Sequence, residues 1–231
     1  MLAINRTLGL GFEAPLTPAV LEWVVRTYAT ANARRFVVQW SPAAQPSNAA
    51  DMFARRGFKL VSRIVKMIRP AQAPQDEPRG PSPLSIREVG PEYAAVFEGI
   101  VARPLGVPEG LDAGVRSTMG HRRWHYYLAY DGHRPIAGAV LYVRGQHAWC
   151  GLGATREADR GRGAQLALLR RRIADAAAAG CHWISADTLA GSLPTPAQSR
   201  RNLERAGFTT LYERPNYLFD VTDAGVTSRS A

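Results

Sequence analysis

The chain has 231 residues, and its 46% hydrophobic and 21% charged content is typical of a soluble globular protein with one large or two small domains. Its formal net charge is +10, and this charge is almost wholly arginine because Lys59 and Lys66 are the only lysines. The arginines are scattered along the chain, so a compositional bias explains them better than nucleic-acid binding does.

No apolar run approaches the ~18 residues that a membrane-spanning helix needs, and Asn5, Arg6 and Glu13 interrupt the apolar residues near the start. These patterns predict a cytoplasmic protein without a membrane partner. The two cysteines, Cys150 and Cys181, lie in apolar stretches and lack metal-ligand spacing. We therefore expect two buried thiols and no metal cofactor.

Residues 1–69 predict a first, small α/β unit. Thr17 and Pro18 suit the N-cap and the first position of a helix whose apolar residues follow at helical spacing. The predicted order is a strand over 4–11, this helix, a strand over 35–40, a helix over 47–56 and a strand over 58–68. Residues 70–83 carry repeated prolines, which favour an extended, semi-rigid linker.

Residues 84–222 predict a second, larger unit, and residues 223–231 a frayed tail. Asp131-Gly132 lies between two apolar stretches and indicates a hairpin. The predicted elements are a strand over 84–89, a helix over 91–101, a partly helical segment over 104–120, strands over 124–130, 136–143 and 147–155, a helix ending at Gly180, a strand over 183–186 and a last strand over 217–221.

The turn after the predicted strand 147–155 carries the most informative motif, Arg160-Gly161-Arg162-Gly163. The first N–H groups of a helix lack partners within the helix and form the positive end of its dipole. Glycines let a bulky anion approach the backbone, and the arginines add positive charge. The motif therefore predicts a diphosphate site, with a solvated helix start that bears surface arginines as the alternative.

Followed by an amphipathic helix, this motif resembles the acetyl-coenzyme A signature of the GNAT superfamily of N-acetyltransferases. That signature is Gln or Arg, two residues, Gly, one residue, then Gly or Ala. Arg160 and Gly163 fit it, whereas Gln165 occupies its last Gly/Ala position. Residues 202–208, Asn-Leu-Glu-Arg-Ala-Gly-Phe, resemble the second family signature, an Asn-bearing helix that ends in Gly-Phe. The resemblance covers roughly residues 84–220.

The resemblance implies a GNAT-like α/β fold with a mixed, mostly antiparallel sheet and flanking helices. It also implies N-acetyltransferase activity by direct attack in a ternary complex, with acetyl-CoA as cosubstrate. The CoA-binding residues that it implies are Ala154, Thr155, Arg160, Gly161, Arg162, Gly163, Ala164, Gln165 and Asn202. The implied acceptor is a small-molecule or peptide amine, and a homodimer is left open.

The base that deprotonates the amine is less sharply indicated. In the family a carboxylate or His on the fourth or fifth strand often does this, which leaves His147 and Asp187 as candidates. Asp187 is favoured because the end of the fifth strand lies beside the thioester in this fold. The family Tyr that acts as general acid has Leu203 at its position. Together with Gln165, Leu203 motivates the alternative of a catalytically weak or silent CoA-binding regulatory module.

The first unit resembles part of the second. Residues 8–11, Leu-Gly-Leu-Gly, match residues 150–153, Cys-Gly-Leu-Gly, and residues 53–58 match residues 203–208. From these anchors both units run strand, helix, strand, helix, strand. Chance similarity of two α/β segments is the alternative.

The two copies differ in length. The step from Gly11 to Phe36 is 25 residues, against 30 from Gly153 to Trp183, and Phe12-Glu-Ala-Pro15 replaces the Arg/Gly turn. We therefore expect residues 1–69 to be a partial, degenerate GNAT-like lobe without a CoA site. Residues 70–231 are expected to keep their CoA affinity when expressed alone.

Overall fold

The computed structural model describes residues 5–72, 84–105, 112–190 and 198–222. Its elements are β1 (Arg6–Thr7), α1 (Pro18–Thr30), β2 (Arg35–Gln39), α2 (Ala49–Arg55), β3 (Lys59–Pro70), β4 (Leu84–Val89), α3 (Ala94–Phe97), α4 (Asp112–Thr118), β5 (Trp124–Asp131), β6 (Arg134–Arg144), β7 (His147–Thr155), α5 (Ala164–Ala178), β8 (Trp183–Leu189), α6 (Gln198–Arg205) and β9 (Thr209–Asp220). From residue 73 on, the predicted linker lies outside the described residues, as does the predicted tail 223–231. Among the described helices, none is both long and apolar enough to cross a membrane.

The chain divides into two compact units. Unit 1 comprises Met1–Val65, Leu189–Leu193 and Tyr212–Ala231, and unit 2 comprises Lys66–Thr188 and Pro194–Leu211. The predicted domains, 1–69 and 84–222, follow the sequence, whereas each observed unit draws on segments from distant parts of it. Strands β3 and β9 contribute residues to both units.

In unit 1 the strand order is β1-β2-β9-β3, with β1 parallel to β2 and β9 antiparallel to it. Helix α1 begins as predicted, because the Thr17 hydroxyl accepts the N–H of Val20 and Pro18 occupies the first turn. The core is rich in stacked and edge-on aromatic rings. Phe36 of β2, Phe53 of α2 and Phe219 of β9 are its largest fully buried side chains.

Two predicted strands of this unit have other limits. Within the described residues, the strand predicted over 4–11 comprises Arg6–Thr7, because Gly9 and Gly11 have φ values of +84° and +81° and turn the chain out of the extended conformation. The last strand was predicted over 217–221 but begins at Thr209. Pro215 interrupts the sequence signal there, although its carbonyl accepts the N–H of Trp40 at 3.0 Å.

In unit 2 the strand order is β3-β8-β7-β6-β5-β4. Strands β4 to β7 form an antiparallel meander, and β7 is parallel to β8. Helices α3 and α5 lie on opposite faces: the ring of Tyr126 packs edge-on against Phe97 of α3, while the hydroxyl of Tyr127 donates to Asp175 of α5 at 2.7 Å. The predicted α/β fold with a mixed, mostly antiparallel sheet and flanking helices is confirmed.

The helix predicted over 91–101 is irregular. It consists of a 3₁₀ turn (Pro91–Tyr93), the single α turn of α3 and a π-helical turn (Glu98–Ala102) in which the N–H of Arg103 donates to the carbonyl of Glu98 at 3.0 Å. The partly helical segment predicted over 104–120 contains α4, and its residues 106–111 lie outside the described part of the chain.

Candidate functional site

Strands β7 and β8 separate part-way along their length. Their parallel pairing runs from His147 with Trp183 to Cys150 with Ala186, although β7 continues to Thr155. The cause is a bulge in β7, where two residues lie opposite the single residue Ala139 of β6. A bulge bends its strand and increases the local twist, so β7 turns away from β8. The two strands therefore leave a gap between their carboxyl ends.

The two bulge residues are Leu152 and Gly153. Leu152 has φ of +45°, which is unusual for a residue with a branched side chain. A small pocket of about 80 Å³ lies at this gap. It is lined by Cys150, Gly151, Leu152 and Gly153 of β7, by Gln165, Leu169 and Arg172 of α5, by Ala186 and Asp187 of β8, and by Ser199, Asn202 and Leu203 of α6.

The turn between β7 and α5 presents an open helix start. Gly161 and Gly163 have φ values of +81° and +80°, and a Cβ added at either would meet no atom within 4 Å. Gly163 is the N-cap of α5, and no side chain caps the helix there. Because the first N–H groups of a helix need partners from outside it, this start fits an anionic group such as a diphosphate.

A buried carboxylate, Asp159, organises this turn. Arg134 donates to its two oxygens at 2.8 and 2.6 Å, and Arg162 lies 3.4 Å from it and 2.8 Å from Asp131. The hydrogen bond from Arg134 holds the pKa of Asp159 below its usual range. Arg160 has a 67% exposed side chain and lies 3.9 Å from the nearest carboxylate oxygen, that of Glu157. Arg162 is therefore fixed by acids, while Arg160 faces solvent.

A comparison with protein families shows which known domain the segment around this pocket resembles. Residues 93–192 match the model described as "Acetyltransferase (GNAT) domain". This segment is therefore similar to a GNAT acetyltransferase domain. The match spans the open turn, both separating strands and helix α5.

Solved structures with the same fold are distant in sequence. A GCN5-related N-acetyltransferase from Sphaerobacter thermophilus has a TM-score of 0.67 at 20% identity, covering 87% of this chain and 65% of that one. Another from Kribbella flavida has a TM-score of 0.66 at 16% identity, covering 92% and 80%. A tandem GNAT protein from the clavulanic acid biosynthesis pathway has a TM-score of 0.58 at 14% identity, covering 88% and 69%. At these identities the likeness establishes the fold.

The present chain spans 65% of the length of the Sphaerobacter protein. No curated protein sequence matches it.

The predicted CoA-binding residues lie in two groups. The turn residues Arg160–Gly163 begin α5, followed by Ala164, which is buried. Ala154 and Thr155 end β7, and the side-chain amide of Gln165 donates to the Thr155 hydroxyl at 3.1 Å. Asn202 of α6 lines the pocket, and its side-chain oxygen accepts from Gln198 at 3.2 Å.

The two predicted bases lie apart. Asp187 lines the pocket, where its Oδ2 accepts from the indole N–H of Trp149 at 2.8 Å and lies 3.3 Å from Nζ of Lys66. His147 is exposed at the first position of β7 and is not among the lining residues. Neither Trp149 nor Lys66 was predicted to contact the base. Trp149 lies two positions after His147, so strand alternation could have suggested a shared face.

Two further pocket residues were missed as functional candidates. Arg172 of α5 is 3% exposed, and burial lowers its pKa. Cys150 is also buried, and burial raises the pKa of its thiol. A thiol that stays protonated is a poor nucleophile.

The position of the family's general acid lies in the pocket, but Leu203 there cannot donate a proton. Tyr212 and Tyr217, which follow Leu203 in the sequence, belong to unit 1. Glu98, which was not predicted, is 6% exposed on the π-helical turn, and its Oε1 has no hydrogen-bond partner within the described part of the chain. No local signal marks Glu98, because an acidic residue in a helix is usually exposed.

Proposed function

We propose that the GNAT domain transfers an acetyl or related acyl group from acyl-CoA to a primary amine by direct attack in a ternary complex. One observation carries this proposal: an open, uncapped helix start adjoins the gap between β7 and β8. A diphosphate suits the first feature. An extended arm with amide groups suits the second, because the unpaired edge of a strand offers hydrogen bonds to such an arm.

The donor site is assigned to the turn and to the two strand ends. The amides of Gly163, Ala164 and Gln165 and the charge of Arg160 hold the diphosphate. The backbone of Ala154 and Thr155 orients the arm, and an N–H there donates to the thioester carbonyl as negative charge develops on it. Asn202 binds the arm from α6. Bound acyl-CoA supplies the activated acyl group.

Chemistry at the acceptor requires a neutral amine. An alkylammonium group has a pKa of about 10, so a base must take its proton near neutral pH. We assign this role to Asp187, which lines the pocket, ahead of His147, which starts its strand at the other end. The amine nitrogen then forms the N–C bond, the C–S bond breaks, and the leaving thiolate takes a proton from solvent, because Leu203 cannot supply one.

The alternative function is a catalytically weak or silent CoA-binding regulatory module. Gln165 favours it, because its side chain bridges to Thr155 across the entrance of the gap. Leu203 favours it as well, since the pocket lacks a proton donor at that position. Under this alternative the protein binds CoA and its thioesters without turnover.

We further propose that residues 1–69 are a partial, degenerate copy of the GNAT lobe. Aligning residues 8–11 with 150–153 places Arg6 on Ala148, and aligning Phe36 with Trp183 places Val37 on Ile184. Each corresponds to a parallel pair: Arg6 with Val37 in unit 1, and Ala148 with Ile184 in unit 2. The shared register supports a common origin over chance similarity. A cytoplasmic location, an amine as the acceptor and a homodimer are further proposals.

Two measurements on the full chain test the function. Calorimetric titration with CoA and acetyl-CoA tests binding, and release of free thiol with a panel of amines tests turnover. Asp187→Asn should lower turnover and remove the acid limb of the pH–rate profile with little change in CoA affinity, whereas His147→Ala should keep both. Binding without turnover for every amine would support the regulatory module, and the absence of CoA binding would refute both functions.

A further inference from the structure

Helix α5 presents one charged side chain to the interior of unit 2. Its buried residues are Ala164, Leu168, Leu169, Arg172, Ile173 and Ala176. Five of the six are apolar, so the stripe is that of an ordinary core-facing helix apart from the arginine at its centre. Arg172 also lines the pocket at the gap between β7 and β8.

The hydrogen bonds of Arg172 use part of its guanidinium. Nε donates to the carbonyl of Leu168 at 3.0 Å, and Nη1 donates to the carbonyls of Val140 and Gly151 at 3.0 and 3.3 Å. Nη2 has no hydrogen-bond partner among the described residues. A guanidinium has five N–H donors, so Arg172 keeps donors available at the pocket.

The charges around the pocket do not balance. Arg172 hydrogen-bonds only to carbonyl oxygens within the described chain, and the pocket's carboxylate, Asp187, is paired with Lys66. Cys150 stays neutral as a thiol. One positive charge therefore remains next to the space between the strands. A buried, uncompensated cation is unfavourable, which points to a ligand that supplies the missing negative charge.

The size of the pocket limits that ligand. A buried water needs about 10–15 Å³ of such space, so a pocket of about 80 Å³ holds on the order of five to eight non-hydrogen atoms. A dicarboxylic acyl group of three or four carbons has roughly that number, and it carries one carboxylate when joined to a thiol.

We propose that Arg172 binds a carboxylate at the far end of the transferred acyl group, so that the preferred donor is a short dicarboxylic acyl-CoA. This proposal rests on the acyl-CoA site proposed above. The guanidinium selects the donor by forming a charge-assisted hydrogen bond from Nη2, and the carboxylate passes unchanged to the product.

A purely structural role for Arg172 makes a different prediction. Its bonds to Val140 and Gly151 tie β6 to β7 immediately before the bulge. If Arg172 served only to hold the bulge, its replacement would weaken all CoA thioesters alike. A role in donor selection therefore changes the ratio of the affinities for dicarboxylic acyl-CoA and acetyl-CoA, whereas a purely structural role leaves that ratio unchanged.

The test is calorimetric titration of the full chain with CoA, acetyl-CoA, malonyl-CoA and succinyl-CoA. We expect malonyl-CoA or succinyl-CoA to bind at least about tenfold more tightly than acetyl-CoA, a difference that a single buried charge-assisted bond accounts for. Arg172→Met should remove this preference. Arg170→Met, which removes an exposed arginine of the same helix, should keep the preference.

Each other outcome overturns the proposal. Equal or tighter binding of acetyl-CoA by the unmodified protein refutes it while leaving the acyl-CoA site intact, and this result does not depend on how any variant folds. A uniform loss for all thioesters in Arg172→Met assigns the residue to the bulge alone. If no CoA compound binds the unmodified protein, the acyl-CoA site itself is refuted.

Discussion

Two loops of the chain occupy equivalent places, because each follows a strand and leads into the helix that precedes that strand's parallel partner. Both loops contain glycines with positive φ, but the atoms around these glycines differ. The loop after β1 carries Gly9 and Gly11 with φ of +84° and +81°, and the loop after β7 carries Gly161 and Gly163 with φ of +81° and +80°. A Cβ on Gly11 would lie 2.6 Å from both the Trp40 ring and the carbonyl of Gln45. The loop of unit 1 is thus closed by its own chain.

The helix starts differ in the same sense. Helix α1 is capped by the hydroxyl of Thr17, whereas α5 begins at Gly163 without a side-chain cap. The charges of the two loops differ as well, because Glu13 lies in the loop after β1 and Arg160 lies in the loop after β7. Positive-φ glycines alone therefore do not make an anion site. The N–H groups must also remain unused, and the space beside the glycines must stay open.

The comparison of the two loops would fail if the two halves of the chain folded independently of each other. Residues Lys66–Pro70 of β3 belong to unit 2, where Lys66 pairs with Asp187 and the guanidinium of Arg69 donates to the carbonyl of Ala206. Contrary to the expectation from sequence, we predict that a 70–231 fragment neither folds cooperatively nor binds CoA. Circular dichroism during thermal unfolding measures this. A 66–231 fragment is the control and should retain more structure, and a cooperative transition in the shorter fragment would contradict the prediction.

The sharpest test of the two loops exchanges one glycine in each. Gly163→Val should weaken CoA binding at least about tenfold, because a β-branched residue disfavours positive φ and its side chain occupies the space that the diphosphate needs. Gly9→Val is the matched control. It has a similar φ and also has no atom within 4 Å of an added Cβ, but it lies in the loop of unit 1. Calorimetry should show unchanged CoA affinity for Gly9→Val. Equal losses of affinity in both variants would contradict the proposed difference between the two loops.

We expect acid pH to destabilise the fold by protonating Asp159, which organises the turn after β7. Because Arg134 lowers the folded-state pKa of Asp159, the carboxylate stabilises the fold above its unfolded pKa of about 3.9, and this contribution is lost as the pH falls through the lower folded value. Melting temperatures between pH 7 and pH 2.5 should decline below about pH 4 and should decline less in Asp159→Asn. Glu157→Gln, which removes an exposed carboxylate of the same turn, should behave as the unmodified protein does. Parallel declines in all three would exclude Asp159 as the cause.

The smallest expected effect concerns Gln165. Its bridge to Thr155 narrows the entrance of the gap, so Gln165→Ala should tighten CoA binding a few-fold, because binding no longer has to break that hydrogen bond. Gln146→Ala, at an exposed glutamine in the turn between β6 and β7, should leave the affinity unchanged. Weaker binding in Gln165→Ala would show instead that the amide contacts the ligand.

Local signals made much of unit 2 predictable. The limits of β7 are those predicted, and α5 ends near Gly180, which has φ of +77°. The hairpin at Asp131-Gly132 was predictable for the same reason, because turn residues and hydrophobic periodicity can be recognised within a few residues of sequence. The open turn at Gly161 and Gly163 was also recognised from its composition.

The contacts that set the chemistry of the pocket were not predictable in this way. Arg134 meets Asp159 across 25 residues of sequence, and Lys66 meets Asp187 across 121. Burial of Arg172 follows from the position of α5 on the sheet, whereas its sequence context, Arg170-Arg171-Arg172, reads as a solvated helix face. Such pairings depend on topology, which periodicity does not encode.

The place of β9 in unit 1 bears on how the protein is made. In the order β1-β2-β9-β3, a strand from residues 209–220 lies between two strands that are complete by residue 70. During synthesis, β2 and β3 therefore leave the ribosome well before the strand that separates them. Chains grow at about 5–20 residues per second, so the edges of these strands stay without their native partner for roughly seven to thirty seconds. A nascent chain in this state would be expected to depend on chaperones, and stalling translation before residue 209 should leave unit 1 sensitive to proteases.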